Sequence, residues 1–186
     1  QSCEARMAST LNVDQITATE TDGNITFTPN GTGIFVPKKV PAFYVFNGSA
    51  QNLTNGTWTK VTGLSSELYD NTNHFDTANQ RFVAPVNGIY CFTTCLNFGT
   101  DTSSGGYMYA EVRKTFANGS TAEYYTTGIR ITNTVITNDT QINGTISLPL
   151  LANEIAEMWA YQNVASGNPT LNGGRCFFTG HLVSGT

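Results

Sequence analysis

Residues 88–98, GIYCFTTCLNF, form a predicted strand with apolar side chains on both faces. Successive side chains of a strand point to opposite faces. One face carries Tyr90, Phe92, Leu96 and Phe98. The other carries Ile89, Cys91, Thr93, Cys95 and Asn97. A strand in a two-sheet sandwich normally presents a polar second face to water. We therefore expect this face to be covered by a second copy of the chain or, alternatively, by the N-terminal segment.

Short β-rich runs separated by Gly and Asn turns continue from residue 42 to the end of the chain. They include AFYVF, RFVAPV, YMYAEVRKTF, AEYYTTGIRIT, QINGTISLPLL, IAEMWAYQNV and RCFFTGHLV. Asn118–Gly119 between two of these runs is a hairpin signature. Charged residues make up only 12% of the chain, about half of the usual share. No segment has a persuasive helical period, and the pattern predicts an all-β sandwich or barrel.

Composition and motifs argue against several classes of function. The formal net charge is -4, and no basic cluster exceeds Lys38–Lys39, so we expect no binding to nucleic acid. No apolar run approaches the length of a membrane span, so we expect no membrane insertion. A nucleophile elbow, a phosphate-binding glycine loop and a metal-ligating histidine pair are all missing. We therefore expect neither an enzyme nor a cofactor. Asp70, Asp76 and Asp101 are candidate calcium ligands in loops, but without regular spacing we interpret them as surface acids.

The four cysteines, Cys3, Cys91, Cys95 and Cys176, are too few for a disulfide-dense fold. Cys91 and Cys95 lie four residues apart in one predicted strand, roughly 13 Å at about 3.3 Å per residue. They cannot bond to each other while that strand stays extended. We expect small buried thiols, with a bridge from Cys176 to Cys91 or Cys95 as the alternative.

Residues 1–40 are predicted to form an N-terminal β appendage or the end of a stalk. QITATE and NITFT are short β-rich runs on either side of Asp22–Gly23, which is a turn signal. An isolated pair of strands is marginally stable, so this segment needs a neighbour on which to pack. We therefore divide the chain into an appendage, residues 1–40, and a head, residues 41–186.

The stretch FDTANQRFVAPVNGIYCF resembles the signature of the globular head of complement subcomponent q. That head belongs to a trimeric jelly-roll superfamily that it shares with tumour necrosis factor. The family pattern falls on Phe75, Asp76, Phe82, Pro85, Gly88, Ile89, Tyr90 and Phe92. AFYVF, ISLPLLANEIAEMWA and FFTGHLV resemble further family landmarks in the right order, so the resemblance covers residues 42–186. Ala152–Asn153–Glu154 replaces a Gly-Asp turn and His181 replaces an aromatic residue, and neither departure endangers the fold.

The resemblance implies a jelly-roll β-sandwich that forms a parallel homotrimer. No Gly-x-y stalk precedes the head; instead GNITFTPNGTGIFVPKKV is similar to β-repeats of phage tail and fibre proteins. NLTNGTWTKV also resembles phage and bacterial versions of the head. Our hypothesis is a distal receptor-binding knob of a phage or virus fibre or spike, on the virion surface, that binds a cell-surface glycan or protein. The alternative is an extracellular complement-q-like ligand or adhesion module, secreted or on the cell surface of a cellular organism.

Two sets of residues belong to this hypothesis. The family signature assigns these residues to the core or the trimer interface: Phe82, Gly88, Ile89, Tyr90, Cys91, Phe92, Cys95, Phe178, Gly180 and Leu182. Three polar loops, Gly99–Gly106, Ala117–Ala122 and Ser166–Gly174, are predicted to contact the receptor. Their candidate contact residues, with one from the following strand, are Asp101, Ser103, Asn118, Ser120, Tyr124, Asn168 and Asn172.

Aromatic residues outside the signature are further candidates for a sugar or receptor contact. They are Trp58, Trp159, Tyr107, Tyr109, Tyr124 and Tyr125. Trp159 alternates with Met158 in a predicted strand, and we expect it to lie in the core. Tyr124 and Tyr125 are consecutive, so one of the two rings must face outward.

Overall fold

The structure is a computed structural model. It describes Ile16 and residues 40–99, 105–131, 139–164 and 169–185, without the side chains of residues 125 and 128–131. The chain divides into two compact units, Gln1–Lys38 and Lys39–Thr186. The β runs predicted for the appendage lie outside the described residues. All thirteen strands of the described residues lie in the second unit.

The described residues form thirteen strands. Their bounds are β1 Ala42–Phe46, β2 Gln51–Asn52, β3 Thr59–Lys60, β4 Ser66–Asp70, β5 Phe75–Asp76, β6 Arg81–Val83, β7 Gly88–Phe98, β8 Gly106–Thr115, β9 Thr121–Ile131, β10 Thr140–Leu150, β11 Ile155–Val164, β12 Thr170–Leu171 and β13 Phe177–Gly185. A search of the described residues finds no helix with the length and apolar character that crossing a membrane requires.

The strands pair antiparallel in two sheets, which is the jelly-roll sandwich that the sequence predicts. The seven-stranded sheet has the order β2–β12–β7–β13–β1–β4, and β10 also pairs with β7. The six-stranded sheet has the order β5–β6–β11–β8–β9, and β3 also pairs with β11. β7 is central in its sheet, because its residues pair with β10 on one edge and with β13 on the other.

The core between the sheets is centred on Phe43. Its ring centroid lies 4.9 Å from that of Phe82, 5.0 Å from that of Phe75 and 5.1 Å from that of Phe178. Phe92 closes the group at 5.6 Å from Phe178. These five side chains come from both sheets and are almost inaccessible to solvent. Stacked and edge-on aromatic pairs of this kind add to the free energy gained from burial.

The two faces of β7 differ as the sequence predicts. The face toward the core carries fully buried Tyr90, Phe92, Leu96 and Phe98. On the outer face Ile89, Cys91 and Thr93 are half-buried.

The far end of this outer face is covered from within the same chain. Gln141 donates to Cys95 Sγ at 2.9 Å, and Asn172 donates to Asn97 Oδ1 at 2.7 Å. The backbone N–H of Asn97 also lies 3.3 Å from Cys176 Sγ. At this end the face is covered by β10 and by the segment before β13, so cover by a second copy or by the N-terminal segment remains an expectation for Ile89, Cys91 and Thr93.

Cys91, Cys95 and Cys176 are free thiols, so Cys176 forms no bridge to either of the others. Cys95 and Cys176 are fully buried, as predicted, whereas Cys91 is half-exposed. Burial raises the pKa of Cys176 to about 11 and also raises the pKa of Cys95. Both buried thiols therefore stay protonated at neutral pH and act as small apolar side chains.

Candidate functional site

The outer face of the six-stranded sheet carries a row of aromatic side chains. Tyr161 on β11 is the register partner of Tyr109 on β8. Trp58 directly precedes β3, whose Thr59 pairs with Ala160, so the indole falls beside Tyr161. Inward positions on these strands carry Met108, Ala110, Met158 and Ala160 in the core. The strict two-residue alternation of β8 and β11 thus sends the large aromatic rings outward in one cross-strand row.

These rings line an open cleft. The ring centroids of Trp58 and Tyr161 lie 5.2 Å apart, and those of Tyr161 and Tyr109 lie 5.9 Å apart. Tyr107, two residues before Tyr109, lies 5.9 Å from it with its ring nearly parallel. Asn163 completes the lining, and the cavity measures about 530 Å³. A cavity of this size lies within the range of small-molecule sites, about 300–1,000 Å³.

The loop before Trp58 is fixed to β11 by hydrogen bonds. Asn55 donates its side-chain amide to the Val164 carbonyl at 3.0 Å, and the Gly56 N–H donates to the Gln162 carbonyl at 2.8 Å. The buried amide of Gln162 donates to the Leu53 carbonyl at 3.3 Å. These three contacts hold the loop on both sides of its turn. Trp58 is therefore presented by a rigid segment, which lowers the entropy lost when a ligand binds.

Trp159 is not in the core, so the prediction for this residue is wrong. The side chain of Arg113 lies over the Trp159 ring, with Cζ 3.8 Å from the ring centroid. The indole N–H donates to Glu157 Oε2 at 3.2 Å. Trp has both an apolar ring and a polar N–H, so a cation above the ring and a carboxylate beside it stabilise an outward position. Met158 takes the core position instead.

Ion pairs surround the aromatic row on the same face. Lys60 Nζ lies 2.5 Å from Glu157, and Arg113 lies 2.6 Å from Glu111 and 2.9 Å from Glu123. Glu111 is fully buried, and its Oε2 has no hydrogen-bond partner among the described residues. Burial raises the pKa of Glu111 against the opposing effect of Arg113. The described charges next to the cleft are thus paired with one another, and none of them lines it.

The three predicted receptor loops lie at two different ends of the sandwich. β8 ends at Thr115 opposite Ile155, and β7 begins at Gly88 opposite Leu150, so the hairpin with Asn118 and Ser120 lies at the end where β7 begins. The other two loops lie at the opposite end, as shown by the described residues of these loops, Gly99, Gly105, Gly106 and Leu171, and by Val164 beside them. Asp101, Ser103 and Asn168 fall outside the described residues.

The cleft lies at the second of these ends. Tyr107 pairs with Asn163, one position from the pair of Gly106 and Val164. The loop Gly99–Gly106 ends at this pair, and the loop Ser166–Gly174 begins just after it. The chain enters the sandwich nearer the other end, since Ala42 pairs with His181 and His181 with Cys91. The cleft and two of the three predicted loops therefore share the end remote from the hairpin.

Tyr124 and Asn172 have roles inside the fold. Tyr124 is the register partner of the buried Val112 and packs against the core, so its ring does not belong to the outward surface. Asn172 uses its side-chain amide to bind Asn97, and its carbonyl accepts a hydrogen bond from Asn47 at 2.9 Å. We leave both residues out of the candidate surface for this reason.

The signature residues lie within or beside the core. Phe82, Tyr90, Phe92, Cys95 and Phe178 are buried within the single chain. Leu182 packs against the core, while Ile89 and Cys91 lie half-buried on the outer face of the seven-stranded sheet. Gly88 and Gly180 mark close approaches: a Cβ at Gly88 would lie 2.5 Å from Leu182 Cδ1 and one at Gly180 would lie 2.6 Å from Phe92 Cδ1.

Two of the candidate calcium ligands take part in local hydrogen bonds. Asp70 accepts from the Phe75 N–H at 2.8 Å, and Asp76 accepts from Asn79 and Arg81. Asp101 lies outside the described residues. A search of the described part of the chain finds no group of three His, Cys, Asp or Glu side chains placed to hold a metal ion.

Sequence comparison finds no matching family model and no matching curated protein. Structural comparison shows the fold of the complement-q and tumour-necrosis-factor heads. The globular domain of zebrafish complement 1qA matches over 80% of this chain and 100% of its own, with a TM-score of 0.56 and 18% identity. Murine APRIL matches 78% of this chain and 100% of its own (TM-score 0.55, 10% identity). Eiger, a tumour necrosis factor from S. frugiperda, matches 80% and 95% (TM-score 0.55, 9% identity).

Proposed function

We propose that this chain is a non-enzymatic, homotrimeric attachment head whose setting is the distal knob of a phage or virus fibre or spike. The observation that carries this proposal is the difference between the outer faces of the two sheets. The seven-stranded sheet presents an uncharged and partly buried strip along β7 and the neighbouring β10. The six-stranded sheet presents the aromatic cleft and the ion pairs. The first face suits contact between copies, and the second is left open for a ligand.

The uncharged strip comprises the outward positions of β7 and β10. Those not covered by the chain itself are Ile89, Cys91, Thr93, Gln141, Asn143, Thr145, Ser147 and Pro149, and none of them carries a charge. Thr93 and Thr145 hydrogen-bond to each other across the two strands at 2.8 Å. Depletion of charged residues is the compositional mark of the centre of a protein interface. Three copies of such a strip can meet around a threefold axis.

The setting rests on sequence resemblance. GNITFTPNGTGIFVPKKV is similar to β-repeats of phage fibre proteins, and NLTNGTWTKV, which includes Trp58, resembles phage and bacterial versions of the head. We propose a receptor surface at the end of the sandwich that holds the cleft, together with the adjoining loops Gly99–Gly106 and Ser166–Gly174. Each cleft alone offers a small contact area, so three copies on one axis supply avidity.

Assembly is tested by sedimentation at micromolar concentration. We expect a trimer mass for the parent protein and a monomeric or unfolded protein for Cys91→Arg, because an unpaired charge buried in the strip costs several kcal/mol. Thr121→Arg is the matched control, since Thr121 is exposed at the edge of the six-stranded sheet, and it should leave the trimer intact. A parent protein that sediments cleanly as a monomer contradicts the proposal.

Attachment is tested with labelled trimer on cells that the parent protein binds. We expect Trp58→Ala to lose most of the bound signal, since removing a central aromatic residue from a binding surface costs about 2 kcal/mol or more per site and the loss is repeated in three copies. The control is the double variant Asn118→Ala/Ser120→Ala in the hairpin at the opposite end, which should bind as the parent does. If the hairpin variant loses attachment and Trp58→Ala retains it, the receptor surface lies at the hairpin end and our proposal is wrong.

A further inference from the structure

We infer that the cleft formed by Trp58, Tyr107, Tyr109, Tyr161 and Asn163 binds a neutral hexopyranose unit of a surface glycan. This inference rests on the proposed function, because it names the ligand of the attachment site. It places the ligand on the outer face of the six-stranded sheet, in contact with Trp58, Tyr107 and Tyr109, which the sequence already indicates as candidates, and with Tyr161 and Asn163, which it does not.

The arrangement of the rings suits a sugar. Trp58 is inclined by 43° to Tyr161 and by 32° to Tyr109, so the three rings form a curved wall. The axial C–H bonds of a pyranose form an apolar patch with partial positive charge, and an aromatic face carries partial negative charge. A sugar ring therefore packs on such a wall through its C–H face and leaves its hydroxyl groups at the edge.

Asn163 supplies the polar group at that edge. It is exposed at the rim of the cleft, and its side-chain amide offers both a donor and an acceptor. Neighbouring hydroxyl groups of a sugar present the same pair of functions. An apolar wall with one such group is the usual composition of a small-ligand site, in which a few polar groups fix the orientation.

The charges favour a neutral ligand. The described side chains that line the cleft carry no charge. Lys60 of β3 is paired with Glu157, and Arg113 of β8 is paired with Glu111 and Glu123. An anionic sugar would have to compete with these carboxylates for Lys60 or Arg113. Because Arg130 is the register partner of Tyr107, the experiment includes an acidic sugar as a separate arm.

The cleft is also accessible in the proposed assembly. Contact between copies uses the outer face of the seven-stranded sheet, and the cleft lies on the outer face of the other sheet, across the core. Each trimer therefore presents three open clefts, near the end of the sandwich remote from the hairpin.

The test uses the fluorescence of the two tryptophans, which are Trp58 and Trp159. In the Trp159→Phe variant Trp58 is the sole reporter, and we expect its emission to change saturably on titration with a methyl glycoside of glucose, galactose, mannose or N-acetylglucosamine. In that background Tyr161→Ala or Asn163→Ala should weaken binding about tenfold, equivalent to about 1.4 kcal/mol. In Trp58→Phe, where Trp159 reports from outside the cleft, emission should not respond. N-acetylneuraminic acid should give no response with either reporter.

The inference is overturned if none of the neutral glycosides changes the Trp58 emission, if only N-acetylneuraminic acid does so, or if binding is unchanged by both Tyr161→Ala and Asn163→Ala. These outcomes are distinct from failure of the proposed function. If Trp58→Ala loses cell attachment but no sugar changes the emission, the attachment site is supported and its ligand is a surface protein. Unchanged attachment in Trp58→Ala contradicts the attachment site itself.

Discussion

Gly180→Val is expected to destabilise the head by at least about 3 kcal/mol, at the upper end of the usual cost of overpacking a core. Gly180 lies in β13 directly against two buried rings. A Cβ at this position would lie 2.6 Å from Phe92 Cδ1 and 2.8 Å from Phe43 Cε1. Both rings belong to the closely packed aromatic core, so neither can move without displacing Phe82 or Phe178. Chemical denaturation at fixed protein concentration measures the change in the free energy of unfolding.

Gly48→Val is the matched control for this substitution. The nearest atoms to a Cβ at Gly48 are Ser65 Oγ at 3.6 Å and Ser66 Oγ at 3.7 Å, which is ordinary contact, so a change below about 1 kcal/mol is expected. A second variant tests the mechanism. Phe92→Leu shortens the obstructing ring, and the double variant with Gly180→Ala should be more stable than the sum of the two single effects predicts. If Gly180→Val and Gly48→Val have equal stability, the close approach of β13 to the rings is contradicted.

The alternation in β7 could be predicted because it is a local property of the sequence. Side chains on a strand alternate with a period of two, and Tyr90 and Phe92 are large enough to define the core face without knowledge of the partner sheet. The cover over Cys95 and Asn97 could not be predicted in the same way. It comes from Gln141, 46 positions along the chain, and from Asn172 and Cys176, more than seventy positions along. The pairing of β10, β12 and β13 with β7 brings them there.

The cleft was only partly predictable for a similar reason. The sequence indicates that Trp58, Tyr107 and Tyr109 are candidates for a contact surface. It does not indicate that Tyr161 completes the row, because this depends on the register of β11 against both β8 and β3. The sequence did contain a signal for Tyr161 and Asn163, since they follow Trp159 at every second position and so share one face of the strand. The alternation with Met158 predicts a core position for Trp159, whereas its position in the structure follows from Arg113 and Glu157.

Predicting which loops share an end of the sandwich requires the whole topology. The loops Gly99–Gly106 and Ala117–Ala122 are consecutive connections on either side of β8, and both are small and polar. An antiparallel strand puts its two connections at opposite ends of the sheet. Strand order alone therefore separates them once β8 is known to be one unbroken strand of ten residues. Which of the two ends faces away from the point of chain entry follows from the pairing of Ala42 with His181.

The second large effect is expected at a buried ion pair that joins β8 to the turn between β10 and β11. Lys114 Nζ lies 2.7 Å from Glu154 Oε2, and side-chain exposure is 7% and 3%. Lys114 also donates to the Pro149 carbonyl, and Glu154 accepts from the Leu151 N–H, both at 2.8 Å. The pair thus ties β8 to the turn that replaces the Gly-Asp turn of the family pattern.

Removing one partner of this pair leaves the other charge buried without compensation. Glu154→Gln or Lys114→Met should each cost about 3–5 kcal/mol of the free energy of unfolding, whereas the double variant Lys114→Met/Glu154→Gln should recover most of that loss because no charge remains buried. Chemical denaturation of the parent and the three variants gives the coupling free energy directly. A double variant as unstable as the sum of the two singles would mean that the two charges do not interact.

The same pair predicts how stability depends on pH. Burial raises the pKa of Glu154, but the hydrogen bonds from Lys114 and the Leu151 N–H, together with the charge of Lys114, outweigh it, so the pKa of Glu154 in the folded protein lies below its ordinary value. A carboxyl with a lowered pKa contributes stability that is fully present above the pKa of the unfolded chain and is lost as pH falls through the folded pKa. Unfolding free energies measured from about pH 7 to about pH 3, across the ordinary carboxyl range, should therefore fall more steeply for the parent than for the double variant. Equal slopes for the two proteins would show that Glu154 is not held ionised by Lys114.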